Sequence, residues 1–466
     1  MKLDTSTDPQ VGFRPPGYLD AQAALEPYDG RFGARQAAHL LRRAAFGGTP
    51  QEIETLVGLG MQRSVSNLLH PTVPDPDFPT YPAADILFDK KLGARAAQMW
   101  WLDRMLRTNR PFMEKMTLFW HGHFATSIRK APPNLMVEQI NLLRAQGLGN
   151  FRTLLFSVSV NPAMLVWLDN RFNYKAHPNE NYAREVMELF ALGLGNYTEE
   201  DVKNAARAFT GWTIDKEQRF VFRPGRHDDG VKHFLGRTGA FSGAEVIGII
   251  LEQPAHSRFI CRKMLEFFVY SDPEPELVEN LARIYTLGGY DVSKVIGTLL
   301  RSAVFYSPRA YRALPKSPLE FTIGLYRYLG VSSIPPDAIG WLRRMGQEPL
   351  APPSVKGWDG GPTWINTATL LARFNLVNKI VKASSCSLTP DALIAQAGGL
   401  DAGRILETIV AGSLQNDLTS DVRATLLHEL KSGDPALSVP LSGENYQERI
   451  RGVLSLTLNL PSNQLN

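Results

Sequence analysis

Apolar residues recur at intervals of three and four positions along most of the chain from about residue 31, which is typical of amphipathic α-helices. Three stretches match the capping box, in which a Ser or Thr caps a helix and an acidic residue three positions later bonds back to it: residues 49–52, 198–201 and 242–245. Further helix starts are expected at three prolines: Pro162, Pro254 and Pro318. The pattern predicts a mainly α-helical fold with a large multi-helix globular body.

Strand signals are confined to one region. Residues 213–223 alternate polar and apolar side chains ahead of a turn-rich loop, so a small β excursion is predicted near residues 212–238. Residues 71–85 contain five prolines in 15 positions, which predicts an extended connection. The expected organisation is a flexible N-terminal arm at residues 1–28, a main helical domain at 29–365 and a C-terminal helical subdomain at 366–466.

The composition is that of an ordinary soluble globular protein. Of the 466 residues, 44% are hydrophobic and 21% charged, which is ample material for a core. Fifty basic residues nearly balance 46 acidic ones, and no Lys/Arg run with interleaved aromatics occurs, so nucleic acid is not an expected partner. The two cysteines, Cys261 and Cys386, lie far apart and outside any CxxC motif, so neither a disulfide framework nor a thiolate zinc site is predicted.

Targeting signals are not visible in the sequence. The N-terminal stretch MKLDTSTDPQVGFRPPGYLD lacks the apolar segment of a signal peptide. No window approaches 18 consecutive apolar residues, so no membrane span is expected. We therefore expect a cytoplasmic location.

The densest polar stretch is residues 177–188, where carboxylate, amide and guanidinium groups crowd a helix start. Asn179 suits the N-cap, and Glu180 suits the positive end of the helix dipole. A solvated ladder of residues four apart explains much of the pattern, whereas a carboxylate pair on one helix face can hold a metal or share a proton. The candidate catalytic residues are Glu180, Arg184, Glu185 and Glu188, and the candidate substrate-binding residues are Asn179 and Asn181.

Residues 119–124, FWHGHF, place two histidines at alternate positions. On an extended chain His121 and His123 share a face and can bind one metal ion, whereas on a continuous helix they point about 200° apart. Gly122 weakens the helix between them, so both geometries are open. His123 also falls on an apolar stripe, as a structural core histidine does.

A third cluster is the turn at residues 227–233, HDDGVKH. His227 and Asp228 offer nitrogen and oxygen donors for a divalent cation, and Lys232 is a candidate group for holding substrate. The alternative for Asp228 is an Asx turn, in which the carboxylate bonds to nearby backbone amides. The spacing does not match an EF-hand loop.

The loop at residues 347–366 carries Trp358 and Trp364 among glycines. Exposed tryptophans suit stacking on a sugar or gripping a peptide, whereas buried ones anchor the loop against the helical body. The sequence contains no GxxxxGK[ST], GxGxxG, GxSxG or HExxH, so nucleotide-loop, Rossmann, serine-hydrolase and zincin assignments lack support.

In and around these clusters, the sequence resembles the bacterial family known as domain of unknown function 1800. The matching stretches are HLLRRAAFG (39–47), FWHGHFATS (119–127), LGNFRTLLFSVSVNPAMLVWLDN (148–170), PNENYAREVMELFALGLGNYTEEDVKNAARAFTGW (178–212), HDDGVKHFLG (227–236), PAHSRFICRKML (254–265), KSPLEF (316–321) and GQEPLAPPSVKGWDGG (346–361). The resemblance implies a mostly helical fold. It also implies a protein partner from an uncharacterised family related to alkaline phosphatases, encoded nearby, and it leaves a periplasmic location open because many members look exported.

Three functional hypotheses follow from these clusters. The first is a metal-dependent, hydrolase-like enzyme in which a divalent ion lowers the pKa of its bound water. Its expected metal ligands are His121, His123, His227 and Asp228. The alternative is a non-catalytic binding or assembly protein acting with the nearby-encoded partner. A third possibility is a sugar or peptide binder that uses Trp358 and Trp364.

Overall fold

The computed structural model describes residues 20–78, 90–415, 417–431 and 446–466. Most of the predicted arm at residues 1–28, and the second part of the predicted connection at 71–85, lie outside these residues.

Helices account for most of the described residues, which confirms the predicted mainly α fold. In chain order they begin with α1 Ala34–Ala44, α2 Pro50–Leu69, α3 Lys90–Arg107, α4 Pro111–His123, α5 Pro133–Gln146, α6 Phe151–Ser159, α7 Pro162–Trp167, α8 Glu180–Glu185, α9 Glu199–Ala208 and α10 Gly243–Leu251. They continue with α11 Pro254–Phe268, α12 Pro275–Leu287, α13 Val292–Arg301, α14 Pro318–Tyr328, α15 Ala338–Arg344, α16 Thr367–Val381, α17 Pro390–Gln396, α18 Ala402–Leu414, α19 Ser420–Leu430 and α20 Tyr446–Asn459. Short 3-10 turns cover Ala23–Leu25, Asn170–Phe172, Pro224–Arg226, Gly361–Trp364 and Pro461–Gln464, and a π-helix covers Val186–Ala191.

The helix starts form as the local sequence dictates. Thr49 accepts a hydrogen bond from the Glu52 amide, while the Glu52 carboxylate accepts one from the Thr49 amide at 2.7 Å. The same reciprocal box opens α9 at Thr198 and α10 at Ser242. Each capping residue accepts a hydrogen bond from an amide that the first helical turn leaves unpaired. One such cap stabilises the fold by about 1 kcal/mol. The prolines expected at the starts of α7, α11 and α14 stand there as well.

The predicted β excursion consists of two small hairpins. Strands β1 (Trp212–Ile214) and β2 (Phe220–Phe222) pair antiparallel, with Thr213 opposite Val221. Strands β3 (Lys232–Phe234) and β4 (Arg237–Gly239) pair in the same sense, with His233 opposite Thr238. Both hairpins lie in the predicted interval at residues 212–238, apart from the end of β4.

The largest hydrophobic core cluster contains residues from Ala24 to Leu458, with Trp101 and Trp120 fully buried in it. Among the described residues, no helix is both long and apolar enough to cross a lipid bilayer. The division into a main domain at 29–365 and a subdomain at 366–466 stays a prediction.

Candidate functional site

Five separate parts of the chain meet at one open cavity of about 410 Å³. They are the end of α4, the end of α11 with the turn that follows, the start of α14 with the residues before it, the loop between α15 and α16, and Asn466. Its aromatic wall is the set of four aromatic side chains that line it, Phe119, Phe267, Trp358 and Trp364, of which Phe119 and Trp364 are at most 8% exposed. The volume lies within the range of about 300–1,000 Å³ that small-molecule sites occupy.

The loop at residues 346–361 reaches this wall because it runs directly over the end of α4. Gly357 has φ +87°, and a Cβ atom there would lie 2.4 Å from the Gly122 carbonyl oxygen. Only glycine permits both the left-handed backbone and this close approach. Nearby, the Ile128 amide donates to the Leu350 carbonyl at 2.9 Å, which fixes the start of the loop against the chain after α4.

A matched pair of substitutions tests this contact. We expect Gly357→Ala to lower the free energy of unfolding by about 2–3 kcal/mol, because the methyl group meets rigid backbone at a positive φ. We expect Gly122→Ala to raise it by about 0.5–1 kcal/mol, because its methyl group meets no atom within 4 Å and alanine favours the helix. Urea unfolding of both variants measures the two changes. Equal stability of Gly357→Ala and the native protein would contradict the close approach of the loop.

Polar groups around the cavity carry both charge and hydrogen-bonding capacity. The Gln347 side-chain oxygen accepts from the Leu319 amide at 2.9 Å. This fixes the orientation of the side chain and leaves its NH₂ group as a donor. Burial raises the pKa of Glu266, which Lys263 partly opposes. Lys356 and Asp359 form an exposed ion pair at 2.7 Å. The rim therefore presents donors, acceptors and a carboxyl group that binds its proton more tightly than usual.

His123 lines the cavity, and its imidazole also supports the neighbouring π-helix. The His123 Nε2 lies 2.9 Å from the Phe190 carbonyl oxygen, and His256 Nδ1 lies 3.2 Å from the Ala191 carbonyl oxygen. A carbonyl only accepts, so each of these ring nitrogens carries the proton. The two histidines thus satisfy carbonyls that the end of a helix leaves unpaired. Burial lowers the pKa of His123 to about 3, so the ring is neutral at physiological pH.

His121 has a different environment. It is fully buried between Trp101 and Trp358, whose ring centroids lie 5.3 and 5.6 Å away, and neither of its ring nitrogens has a hydrogen-bond partner. Burial lowers its pKa to about 3. Because α4 continues through both residues, His121 and His123 point about 200° apart and do not share one face.

Four of the six candidate side chains in the polar stretch at residues 177–188 bond to other residues of the protein. Asn179 caps α8, as predicted, by accepting from the Asn181 amide at 2.9 Å. Arg184 pairs with Glu180 at 3.2 Å, which confirms that half of the predicted ladder. The other half does not form, because the guanidinium of Arg184 turns to Glu199 on α9.

The other two carboxylates of that stretch, Glu185 and Glu188, have different surroundings. Glu188 accepts a hydrogen bond from the Tyr197 hydroxyl at 2.9 Å. Burial raises the pKa of Glu185, and the neighbouring Glu188 carboxylate adds to the effect. None of the six candidates in this stretch lines the cavity.

The candidate side chains in the turn at residues 227–233 bond to Arg207, to Thr210 and to the backbone of the turn itself. The Asp228 carboxylate pairs with Arg207 at 2.7 Å and accepts from the Gly230 amide at 2.8 Å, which is the Asx turn weighed above. Arg207 lowers the pKa of Asp228. His227 Nδ1 donates to the Thr210 carbonyl at 2.9 Å. The buried Lys232 ammonium donates to the Asp228 and Gly230 carbonyls and so folds the turn back on itself.

The structure thus brings together His123, Trp358 and Trp364 among the predicted site residues, with His121 behind Trp358. Within the part of the chain that the structure describes, no three His, Cys, Asp or Glu side chains group closely enough to hold a metal ion. The roles assigned to these residues stay predictions.

The sequence did not single out several residues that line the cavity: Phe119, Lys263, Glu266, Phe267, Ser317, Glu320, Gln347, Lys356 and Asp359. Their positions in the sequence gave one indication. Most lie within, or next to, the stretches quoted above for the family resemblance, but their long sequence separation concealed that they share one cavity. In the structure, Ser317 and Glu320 also form the capping box of α14.

A family model described as "Protein of unknown function (DUF1800)" matches residues 39–465. No curated protein matches the chain, and no solved structure matches it. The matched range includes every stretch that carried the resemblance and covers nearly the whole chain. The protein therefore belongs to the DUF1800 family.

Proposed function

We propose that the protein binds a carbohydrate in the cavity bounded by Trp358 and Trp364. One observation carries the proposal: two tryptophans and two phenylalanines line an open cavity that also has polar and charged lining residues. The flat C–H face of a sugar ring packs on aromatic side chains, while its hydroxyl groups need both donors and acceptors nearby.

The charge of the rim supports a neutral, polyhydroxylated ligand. Four carboxylates line the cavity, Glu266, Asp272, Glu320 and Asp359, against the two ammonium groups of Lys263 and Lys356. Glu320 is also paired with Lys115, so the charges around the cavity are close to balance. A balanced lining favours a neutral ligand, and its carboxylates accept hydrogen bonds from hydroxyls. The free NH₂ group of Gln347 supplies the complementary donor. This combination of an apolar wall and a few fixed polar groups is characteristic of small-molecule sites.

Intrinsic tryptophan fluorescence tests the proposal. We expect saturable quenching or a spectral shift with at least one member of a panel of neutral mono- and oligosaccharides. The response should be reduced in Trp358→Phe and kept in Trp341→Phe, a matched tryptophan on α15 that does not line the cavity. A flat response across the panel, from protein with a native circular dichroism spectrum, would rule the proposal out.

A metal-dependent hydrolase is the second candidate. One observation favours it: both ring nitrogens of the fully buried His121 lack a hydrogen-bond partner, and a buried polar group without one costs about 1–3 kcal/mol. A bound cation or an ordered water would satisfy one of these nitrogens. His227 and Asp228, the other expected ligands, already bond to Thr210 and Arg207.

Elemental analysis of the purified protein separates this candidate from the first. A near-stoichiometric divalent metal that is lost in a folded His121→Ala variant, and kept in the exposed control His70→Ala, would support the metal-dependent enzyme. Equal, sub-stoichiometric metal in all three proteins would count against it and leave carbohydrate binding untouched.

A further inference from the structure

Six basic side chains lie close together at α1, and the proposed function involves none of them. Arg42, Arg43, Lys115 and Arg373 are at most 5% exposed, and the Arg312 side chain is 10% exposed. The partly buried Lys316 completes the set, and its pKa is lowered well below the usual value by burial and then by three of these arginines. Arg42 and Arg43 belong to the HLLRRAAFG stretch, which the proposed function leaves unexplained.

Two carboxylates face these six cations. Glu320 pairs with Lys115, and Asp417 pairs with Arg312 at 2.8 Å. Four positive charges therefore remain without an opposite charge in direct contact. Neutral groups meet part of the need: Arg42 donates to the Gln415 side chain and lies 5.2 Å from the Tyr311 ring centroid. A buried cation without an anionic partner is costly, because desolvation removes its hydration without replacing it.

A second, smaller cavity adjoins this cluster. Its volume is about 60 Å³, and Arg42, Lys316, Arg327 and Gln415 contribute to its lining. One buried water needs about 10–15 Å³ by this measure, so the space suffices for a small oxyanion. Glu320 and Asn466 line both this cavity and the larger one, so the two lie next to each other.

The lining of this cavity suits an anion. Arg42 and Lys316 both contribute to it, so an anion held there lies beside two positive charges. Guanidinium and ammonium groups are the side chains that bind the oxygens of a phosphate or sulfate ion.

We propose that this second cavity binds a tetrahedral oxyanion, such as phosphate, between Arg42 and Lys316. The anion offsets part of the excess positive charge of the basic cluster. This site is separate in chemistry from the carbohydrate cavity, whose charges are close to balance, and each can fail without the other.

Calorimetric titration with inorganic phosphate, at constant ionic strength set by sodium chloride, tests the proposal. We expect saturable binding of about one phosphate per chain. Arg42→Gln should weaken binding by about tenfold or more, since one positive charge beside the anion is lost. Arg219→Gln, whose side chain is 72% exposed, is the matched control and should bind as the native protein does. Glucose 6-phosphate forms a second arm: tighter binding than inorganic phosphate would assign the site to the phosphate group of a larger ligand.

Thermal unfolding distinguishes this role from a purely structural one. Phosphate should raise the melting temperature of the native protein and of Arg219→Gln, but not that of Arg42→Gln. Absence of saturable binding to the native protein, or unchanged binding by a folded Arg42→Gln variant, would overturn the proposal.

Discussion

Replacing Glu320 by glutamine should lower the free energy of unfolding by about 3–5 kcal/mol, the loss expected when one partner of a buried ion pair is removed. Burial acts to raise the pKa of Glu320, but the ammonium of Lys115 outweighs it and holds this pKa below its usual value. Lys115 itself is 1% exposed and bonds to this carboxylate. Glutamine keeps the size and the capping bond to Ser317, so the loss isolates the charge.

Urea unfolding at neutral pH measures this effect. Glu217→Gln serves as the control, because Glu217 and its partner Arg219 are 63% and 72% exposed, and such a pair contributes at most about 1 kcal/mol. The double variant Lys115→Met/Glu320→Gln should recover part of the loss, since it removes both the unpaired cation and its partner. If Glu320→Gln were as stable as Glu217→Gln, the buried carboxylate would not balance the basic cluster.

Lowering the pH should destabilise the protein already at pH values well above those at which carboxylates titrate. Burial lowers the pKa of His121 and His123 to about 3 and that of His256 to about 4, and it lowers the pKa of His39 further than its neighbouring arginines do. These histidines stay neutral in the folded protein while the unfolded chain takes up protons near pH 6.5. Stability is therefore full above pH 6.5 and falls as the pH drops toward 4, by at most about 1.4 kcal/mol per unit for each histidine.

Denaturant unfolding at pH 7, 6 and 5 should show a total loss of roughly 3–5 kcal/mol, allowing for incomplete coupling of the four groups. His256→Gln keeps a donor for the Ala191 carbonyl but removes one titrating group, so it should flatten the dependence by about one proton. The exposed His70→Gln should leave the dependence as it is. A stability that does not change between pH 7 and pH 5 would contradict the buried neutral state of these rings.

Local chemistry made much of the fold predictable from the sequence. A capping box such as Thr49 with Glu52 depends on four neighbouring residues and on the helix that follows, so its pattern is sufficient evidence. The hairpin around residues 212–223 was predictable for the same reason, because alternation over a few positions specifies a strand. Because α4 continues through Gly122 to His123, the structure also shows that His121 and His123 do not share one face.

The candidate site was less predictable, because it depends on contacts between distant positions. Trp358 and His121 are 237 positions apart, yet their rings lie 5.6 Å from one another. Besides Glu180, Arg184 pairs with Glu199 on the next helix rather than with Glu188 one turn along its own, and no spacing rule identifies this partner. The histidines carried a metal-ligand pattern, but whether a buried imidazole bonds to a helix end is decided by tertiary packing.

Calorimetric titration of the saccharide that gives the strongest fluorescence response tests the central claim most directly. Trp358→Ala and Gln347→Ala should each weaken its binding by about tenfold or more, because one loses the aromatic face and the other a fixed donor. Trp341→Ala, which alters a tryptophan outside the cavity, should bind as tightly as the native protein. That pattern would place the sugar against Trp358. Equal binding by the native protein and a folded Trp358→Ala variant would contradict the account.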